Sequence, residues 1–277
     1  MSAARRLRPT PLGDPDPFTP DAVRPVRVRS RALSADTHFE PHNHPWGQLA
    51  YCATGIVQVM TVPHDPGLQA VTYIVPPSRA VWIAPGLRHA VTVREAAELR
   101  TLYIHAGSAP KGWHDCRMIV VSPLLRELIQ AMDAATRRAA EPARDRLLAG
   151  LVLDELAHAD TQPLGVPLPR DKRLRALCEA VLNAPGERAT LAEWAADTGA
   201  SERTVARLFR DELGTTYQRW RQQAVIAHAL PLLARGVPIG QVAAATGYAS
   251  DSAFSAMFKA AMGHAPTRWS SQMPTRT

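Results

Sequence analysis

The sequence predicts an α+β protein with an N-terminal antiparallel β-barrel or β-sandwich, a helical connector and a C-terminal all-α domain. In the first half, short segments rich in Val, Ile, Thr and aromatic residues are punctuated by Gly and Pro, which is typical of antiparallel strands. From Ser122 onward, apolar residues recur at helical spacing instead. The length of 277 residues fits about two domains.

Changes in composition set the expected domain boundaries. The chain reaches its sixth proline at Pro25, and such a lead-in favours a disordered tail. The stretch TQPLGVPLPRD, with three prolines and a glycine, is the best linker candidate. The predicted segments are a disordered tail (1–24), a β domain (25–116), a helical connector (117–162), a linker (163–170) and an all-α domain (171–277).

The helical connector is expected to contain two helices, because Pro142 interrupts its apolar periodicity. One stripe of this segment could pair two subunits in a homodimer, and packing inside the subunit is the alternative. The stripe consists of Leu124, Leu125, Leu128 and Ile129.

Charge and cysteine usage narrow the classes of protein. A net charge of +7 and a pI near 9.8 favour a polyanionic partner such as nucleic acid. No apolar run approaches the roughly 18 residues of a membrane span, and no secretory signal pattern opens the chain. Three scattered cysteines suit a reducing compartment. We therefore expect a cytoplasmic protein with no membrane partner.

A segment of about 30 residues occurs twice in the last hundred residues. Each copy reads as a short helix ending in Thr-Gly, then a serine that can cap a second helix, as in a helix-turn-helix. The matching pairs are Ala195 and Ala243, Thr198 and Thr246, Gly199 and Gly247, Ser201 and Ser250, Phe209 and Phe258, Gly214 and Gly263, Arg219 and Arg268, and Trp220 and Trp269.

The stretches LAEWAADTGASERTVARLFRDELG and GYASDSAFSAMFKAAMGHAPTRW closely resemble the AraC/XylS family of bacterial transcription regulators. The resemblance covers residues 174–269 and implies a seven-helix DNA-binding domain with two recognition helices in successive major grooves. Two positions depart from the family pattern. Val225 stands where the connecting helix often has an arginine, and Pro231 lies inside that helix, where it should cost a hydrogen bond.

The exposed faces of the two recognition helices are the expected DNA contacts. Arg203 and Arg207 are predicted to read base edges, since arginine can bind guanine bidentately. Thr204 would contact phosphate or a thymine methyl group. For any single arginine, a solvated surface charge is the alternative. The predicted DNA-binding residues are Arg203, Thr204, Arg207, Arg210, Ser252, Ser255 and Lys259.

The spacing of three histidines in the first half is typical of a ligand site. His42-x-His44, Gln48 and Gly55, then Gly86-x-x-His89, resemble the metal-binding motifs of cupin barrels, with Gln48 in the usual glutamate position. The β domain is therefore expected to be a cupin-like effector sensor, as many AraC-family members have. The predicted effector-binding residues are His42, His44, Trp46, Gln48, Tyr51, Trp82 and His89. For the three aromatic residues, packing in the core is the alternative, since aromatic side chains on such strands are more often buried.

Four of these residues could also hold a divalent metal, because imidazoles and an amide oxygen suit ions such as iron, nickel, zinc or manganese. They are His42, His44, Gln48 and His89. A neutral glutamine balances the charge of a dication less well than glutamate would. An organic-ligand pocket and simple packing remain the alternatives, so no cofactor is certain.

Together these patterns predict an effector-responsive, sequence-specific transcription regulator. Its expected partners are double-stranded DNA, a small-molecule or metal effector, RNA polymerase and a second copy of the chain. We expect no enzyme activity, because no pairing of a nucleophile with a base stands out in the sequence. The rival interpretation is a metal-dependent cupin enzyme, a dioxygenase or an isomerase, with a helical appendage.

Overall fold

The computed structural model divides by its internal contacts into two compact units, residues 1–65 with 73–163 and residues 66–72 with 164–277. We call them unit 1 and unit 2. The first contains the predicted β domain and the helical connector, and the second contains the predicted all-α domain. The described residues are 8–14, 16–62, 70–75, 77, 79–135, 141–162, 165–187, 190–198 and 201–267.

The alternating segments of the first half form strands, as predicted. The segments GQLAYCATG and GIVQVMTV, which read as two strands, form one long strand, β4, and HAVTV and LRTLYIHAG likewise contribute to one strand, β7. The strands are β1 (Arg8–Pro9), β2 (Val26–Leu33), β3 (Thr37–His42), β4 (Gly47–Thr61), β5 (Ala70–Val75), β6 (Arg79–Ile83), β7 (His89–Ile104), β8 (Arg117–Val120), β9 (Thr161–Gln162) and β10 (Gly165–Leu168).

The sheet is built around the antiparallel pair β4 and β7. Its main path runs β1-β3-β7-β4-β6-β8-β9, with β2 also on β7 and β5 also on β4. Along the described residues this path does not close into a ring, although the arrangement is consistent with a cupin-like barrel. The predicted α+β fold class, with a sheet-rich first half and a helical second half, is confirmed.

Gly55 explains how β4 stays continuous. The register between β4 and β7 shifts on both sides of this residue, and Gly55 has φ of +72°. A Cβ there would lie 2.1 Å from the carbonyl oxygen of Ala96. Only glycine combines a left-handed backbone with so close an approach, so the strand bends at this point instead of ending.

Two helices, α1 (Pro123–Ala135) and α2 (Pro142–Ala157), follow the sheet and begin at or near the prolines that the sequence placed there. Their apolar faces join the core of unit 1 together with Leu49, Trp82 and Leu102 of the sheet. Pro142 opens α2 in the first turn, where its missing N–H costs no hydrogen bond.

The predicted dimer stripe is corrected by this packing. Leu125, Leu128 and Ile129 are buried in the core of unit 1, and only Leu124 of the stripe is exposed. These side chains face inward because α1 needs an apolar face to cover the sheet. The exposed large apolar side chains of the two helices are Leu124, Leu147 and Leu151.

The tail also differs from its prediction. Residues 8–24, expected to be disordered, contain β1, which pairs in parallel with β3, and a 3-10 turn at Asp16–Phe18. Arg27 donates a hydrogen bond to the carbonyl of Pro17 over 2.9 Å, and the Arg29 guanidinium lies over the Phe18 ring. The proline-rich composition favoured a disordered tail in the prediction. The contacts that order residues 8–14 and 16–24 come from residues distant in sequence, and sequence periodicity gives no information on such contacts.

Unit 2 contains six helices among its described residues, and the second helix of each repeat copy begins and ends as predicted. Ser201 and Ser250 cap the N-termini of α5 and α8 through their side chains, and Gly214 and Gly263 end both helices with positive φ. The helices are α3 (Lys172–Asn183), α4 (Leu191–Thr198), α5 (Glu202–Leu213), α6 (Tyr217–Ala234), α7 (Ile239–Ala245) and α8 (Asp251–Met262).

The connecting helix α6 runs without interruption through Pro231 and joins the two helix-turn-helix units. Its 18 residues span roughly 27 Å at 1.5 Å per residue. Val225 is fully buried in the core that α6 shares with α7 and α8. Gly199, Arg268 and Trp269 of the repeat lie outside the described residues.

The linker predicted at 163–170 contains a strand, β10, which belongs to unit 2. Trp220 of α6 donates its indole N–H to the carbonyl of Pro167 over 2.7 Å. This bond gives a structural role to a segment whose composition indicated only a connection. In the part of the chain that the structure describes, no helix is both long enough and apolar enough to span a membrane.

Candidate functional site

Three histidines from separate parts of unit 1 converge on one point. His42 ends β3 and lies opposite His89, the first residue of β7, in the strand register. His44 follows in the loop before β4. The ring centroids lie 4.4 Å apart for His42 and His89, and 5.2 Å apart for His44 and His89. One ring nitrogen from each lies within 4.8 Å of the others.

Backbone carbonyls orient all three imidazole rings. The Nδ1 atoms lie 2.8, 2.7 and 3.0 Å from the carbonyl oxygens of Glu40, Trp46 and Leu87, for His42, His44 and His89 respectively. A carbonyl oxygen only accepts, so each Nδ1 carries the proton and donates it. Each neutral ring therefore presents Nε2 with a free lone pair, which is how protein scaffolds orient histidine ligands of metals.

Burial keeps the cluster neutral. Desolvation is the main reason that the pKa of all three histidines falls, and for His89 the pKa falls to about 3. The neighbouring histidines add to the fall for His89 and His44, while the carbonyl hydrogen bonds oppose it. Neutral imidazole is the form that binds metal ions, so no proton has to leave at pH 7.

Gln48, the fourth residue of the predicted metal site, lies beside this group. Its side-chain Oε1 lies 2.8 Å from His44 Nε2. Since that Nε2 is an acceptor, it faces either the amide N–H of a rotated Gln48 or a cation shared with the amide oxygen. His89 Nε2 is buried and has no hydrogen-bond partner among the described residues. Such an orphaned lone pair beside two further donors fits a metal ion.

Two aromatic residues border the cluster. Trp46, which the sequence predicted, stacks on His44 with 4° between the ring planes, and its indole Nε1 is buried with no partner among the described residues. Tyr103 lies edge-on to both His44 and Trp46 and is paired with Gln48 in the sheet. The sequence analysis missed Tyr103, although its alternation with Leu102 on β7 places it on the face of Gln48.

Tyr51 and Trp82 do not belong to this cluster. Trp82 pairs with Leu49 in the register of β4 and β6. The side chains of Leu49, Tyr51 and Trp82 all join the core that α1 and α2 cover. Gln48 alternates with Leu49 along β4 and so points to the opposite face of the sheet. These two aromatic residues pack the core, and their assignment to the effector site is corrected.

The predicted DNA-contacting side chains lie on the outer faces of α5 and α8. The inner faces of these helices are apolar, with Val205 and Phe209 buried in α5 and Phe254 and Phe258 buried in α8. Ser255 is half-buried. The remaining predicted residues are exposed, namely Arg203, Thr204, Arg207, Arg210, Ser252 and Lys259.

Two of these side chains already have partners on their own helix. Arg207 Nη1 lies 3.1 Å from the Asp211 carboxylate one turn further on, and both are largely exposed. An exposed pair of this kind contributes little stability, so the Arg207 side chain can leave it at low cost. The hydroxyl of Thr204, in the first turn of α5, lies 2.8 Å from the hydroxyl of Ser201, which caps the helix.

Comparison with known proteins matches both units to families. Residues 24–152 match the family described as the AraC-like ligand binding domain, and residues 194–272 match a helix-turn-helix domain. The HTH-type transcriptional regulator NimR of Escherichia coli strain K12 is 33% identical over 254 residues, which cover 86% of this chain and 92% of NimR. The chain belongs to the AraC family. It is an effector-responsive, DNA-binding transcription regulator.

Other similarities cover less of the chain or are lower in sequence identity. The regulator RipA of Corynebacterium glutamicum is 31% identical over 101 residues, 36% of this chain and 30% of RipA. The crystal structure of ToxT from Vibrio cholerae O395 covers 91% of this chain and 99% of ToxT, at 14% identity and a TM-score of 0.37. At that score the backbones differ too widely for positions to be transferred.

Proposed function

We propose that this AraC-family regulator senses a divalent transition-metal ion at His42, His44, His89 and Gln48, and that occupancy of this site changes its binding to operator DNA. The observation that carries the proposal is the convergence of three neutral imidazoles whose Nδ1 atoms are all engaged by backbone carbonyls. The orphaned Nε2 of His89 supports it further.

The donor set indicates the class of ion. Three imidazoles and one amide oxygen carry no negative charge, which favours borderline ions such as zinc, nickel, copper or iron over calcium or magnesium. Four protein ligands also leave room in an octahedral shell for a small organic ligand. Such a ligand would lie beside Trp46 and Tyr103, whose indole N–H and ring faces suit a flat, hydrogen-bond-accepting molecule.

Operator recognition is assigned to α5 and α8. Arginines on the exposed face of α5 suit base edges, whereas the second helix offers the shorter side chains of Ser252 and Ser255 with Lys259. We therefore assign base readout mainly to Arg203 and Arg207 and backbone positioning mainly to α8. The excess of basic residues from Arg170 onward, 14 against 9 acidic ones, supports a polyanionic partner.

A homodimer is proposed through α2 rather than α1. Four exposed residues of α2, which we call the α2 stripe, are Arg144, Leu147, Leu151 and Asp154. They lie within about 80° around the helix axis, since successive positions advance by about 100°. The apolar pair and the charged pair are both centred on position 149, so an antiparallel copy would place Arg144 against the partner's Asp154.

The function also assigns a place and a further partner. Operator DNA lies in the bacterial cytoplasm, where free buried cysteines such as Cys52, Cys116 and Cys178 stay reduced. Contact with RNA polymerase is proposed because occupancy of the sensor has to change transcription once the protein is on DNA. A dimer with two stable arrangements of its helices would connect occupancy of the sensor with the change in transcription.

The experiment joins metal occupancy to DNA binding. Operator DNA is selected from a random library with chelated protein and again with protein loaded with zinc, nickel or iron(II). We expect the affinity or the protected length to differ between the two states, and the difference to vanish in His89→Ala. His114→Ala, which changes an exposed histidine of the same unit, is the matched control.

Two outcomes would overturn the proposal. Identical operator binding by the chelated and the loaded wild-type protein would remove metal sensing. Turnover of a substrate by the loaded protein, together with no selected DNA, would favour the rival metal-dependent cupin enzyme. Family membership argues against that rival, and we propose that the protein is not an enzyme.

A further inference from the structure

In unit 2, the turn that precedes the first helix-turn-helix unit meets the second unit at a close contact between backbones. The turn at 184–187, before α4, touches the turn that ends α7. A Cβ on Gly186 would lie 2.6 Å from the carbonyl oxygen of Ala245 and 3.1 Å from the amide nitrogen of Gly247. Gly247 itself has φ of +78°. No larger residue fits at 186 without a backbone shift.

One guanidinium group ties both turns to the connecting helix. Arg221, in the second turn of α6, donates from Nη2 to the carbonyl of Pro185 over 2.9 Å and to the carbonyl of Thr246 over 3.1 Å. Thr246 is the C-cap of α7, where a cation is stabilised by the helix dipole and by the orphaned carbonyls. The planar group therefore bridges three segments that are distant in sequence.

The position of Arg221 along α6 gives this bridge its mechanical effect. The apolar core that joins α6 to α7 and α8 begins at Val225 and extends to Leu233, toward the C-terminal end of α6. A second attachment at the start of α6 removes the freedom to rotate about that single contact region. Beside it lies a cavity of about 290 Å³ lined by Leu191, Tyr217, Gln218, Arg221, Gln222 and Tyr248.

We infer that Arg221 and Gly186 form a joint that fixes the second helix-turn-helix unit against the turn before the first, and so sets the spacing between the operator segments read by α5 and α8. Arg221 acts here as a positioning residue. The inference rests on the proposed DNA contacts of the two recognition helices. It adds that spacing discrimination depends on Arg221, the two carbonyls it binds and Gly186, in addition to the side chains assigned to DNA contacts.

The test varies the DNA spacing instead of the DNA sequence. Once an operator is selected, its two protected segments are moved apart or together by one and two base pairs, and affinity is measured for each duplex. We expect the wild type to prefer one spacing. Arg221→Met should lower that preference by about tenfold, since hydrogen bonds from a charged group are lost. Gly186→Ala should lower it in the same direction.

Matched variants separate positioning from charge and from folding. Arg219→Met removes the same charge from an exposed position on the same helix and should keep the wild-type spacing preference. Arg221→Lys keeps the charge, but its side chain is one bond shorter than the path to Nη2, which reaches both carbonyls, so its preference should also fall. The melting temperature of each variant is measured alongside, and affinity for the best spacing reports that the domain is folded.

The two proposals fail in different ways. The inference about the joint is overturned if folded Arg221→Met keeps the wild-type spacing preference, or if Arg219→Met loses that preference equally. Either result leaves the proposed DNA contacts of α5 and α8 standing. A wild-type footprint with a single protected segment instead overturns the assignment of α5 and α8 as two readers of one duplex.

Discussion

Loading the histidine cluster with a metal ion should raise the melting temperature of unit 1 and leave unit 2 unchanged. An ion that binds only the folded state stabilises it by about 2.7 kcal/mol when its free concentration is a hundred times its dissociation constant. For a domain of this size, roughly 2–4 °C follow from each kcal/mol, so the expected shift is about 5–11 °C. Because the rings are already neutral and oriented, little of this free energy is lost to reorganisation.

Differential scanning calorimetry of the full chain is the assay, with zinc, nickel, iron(II) and manganese added in turn after chelation. The shift should disappear in His89→Ala and be reduced in Gln48→Ala, which removes one ligand and keeps the three imidazoles. Binding to unfolded histidines is controlled by His114→Ala. The reasoning is refuted if no ion moves the unit 1 transition, or if His89→Ala keeps the full shift.

Three further outcomes test other parts of the molecule. Arg207→Ala should relax operator preference at one base position, at a cost of about 1–3 kcal/mol, and selection of the same base by the variant would remove Arg207 from the base contacts. Arg144→Asp should weaken the dimer in analytical ultracentrifugation, and adding Asp154→Arg should restore it; failure of the double exchange to restore association would rule out the α2 stripe as an antiparallel interface. His228 of α6 has a lowered pKa because burial disfavours its charged form, so the unfolded chain binds more protons below its ordinary pKa of 6.5, and unit 2 should lose stability as pH falls from 6.5, by at most about 1.4 kcal/mol per pH unit. In His228→Gln the melting temperature of unit 2 should fall less between pH 7.5 and 5.5, and an equal fall in both proteins would contradict this reason.

Local signals predicted the helical half well. Caps, glycine turns and apolar periodicity are all short-range, so the ends of α5 and α8 follow from Ser201, Gly214, Ser250 and Gly263 alone. The strands were harder. Gly55 reads as a turn in the sequence, yet here it bends one long strand, because the backbone of β7 lies directly against it. No local pattern reports that contact.

The functional cluster was only partly visible in the sequence. The sequence motif grouped His42, His44, Gln48 and His89, and the structure brings them together because β3, the loop before β4, β4 and β7 are neighbours in the sheet. Tyr51 and Trp82 were wrongly included because aromatic residues on strands can face either side of a sheet. Assigning the side requires strand register, which depends on pairing between segments far apart in sequence.

Each imidazole of the cluster is held by a carbonyl only two residues away in its own segment. The orientation of each ring is therefore encoded in a short peptide, whereas the distances between the rings depend on strand pairing, which places His42 opposite His89. Substitutions in the residues around the cluster could therefore change the ligand proposed to bind beside it without changing the orientation of the rings. If the same peptides were transplanted onto another antiparallel β-sheet, each ring should keep its orientation.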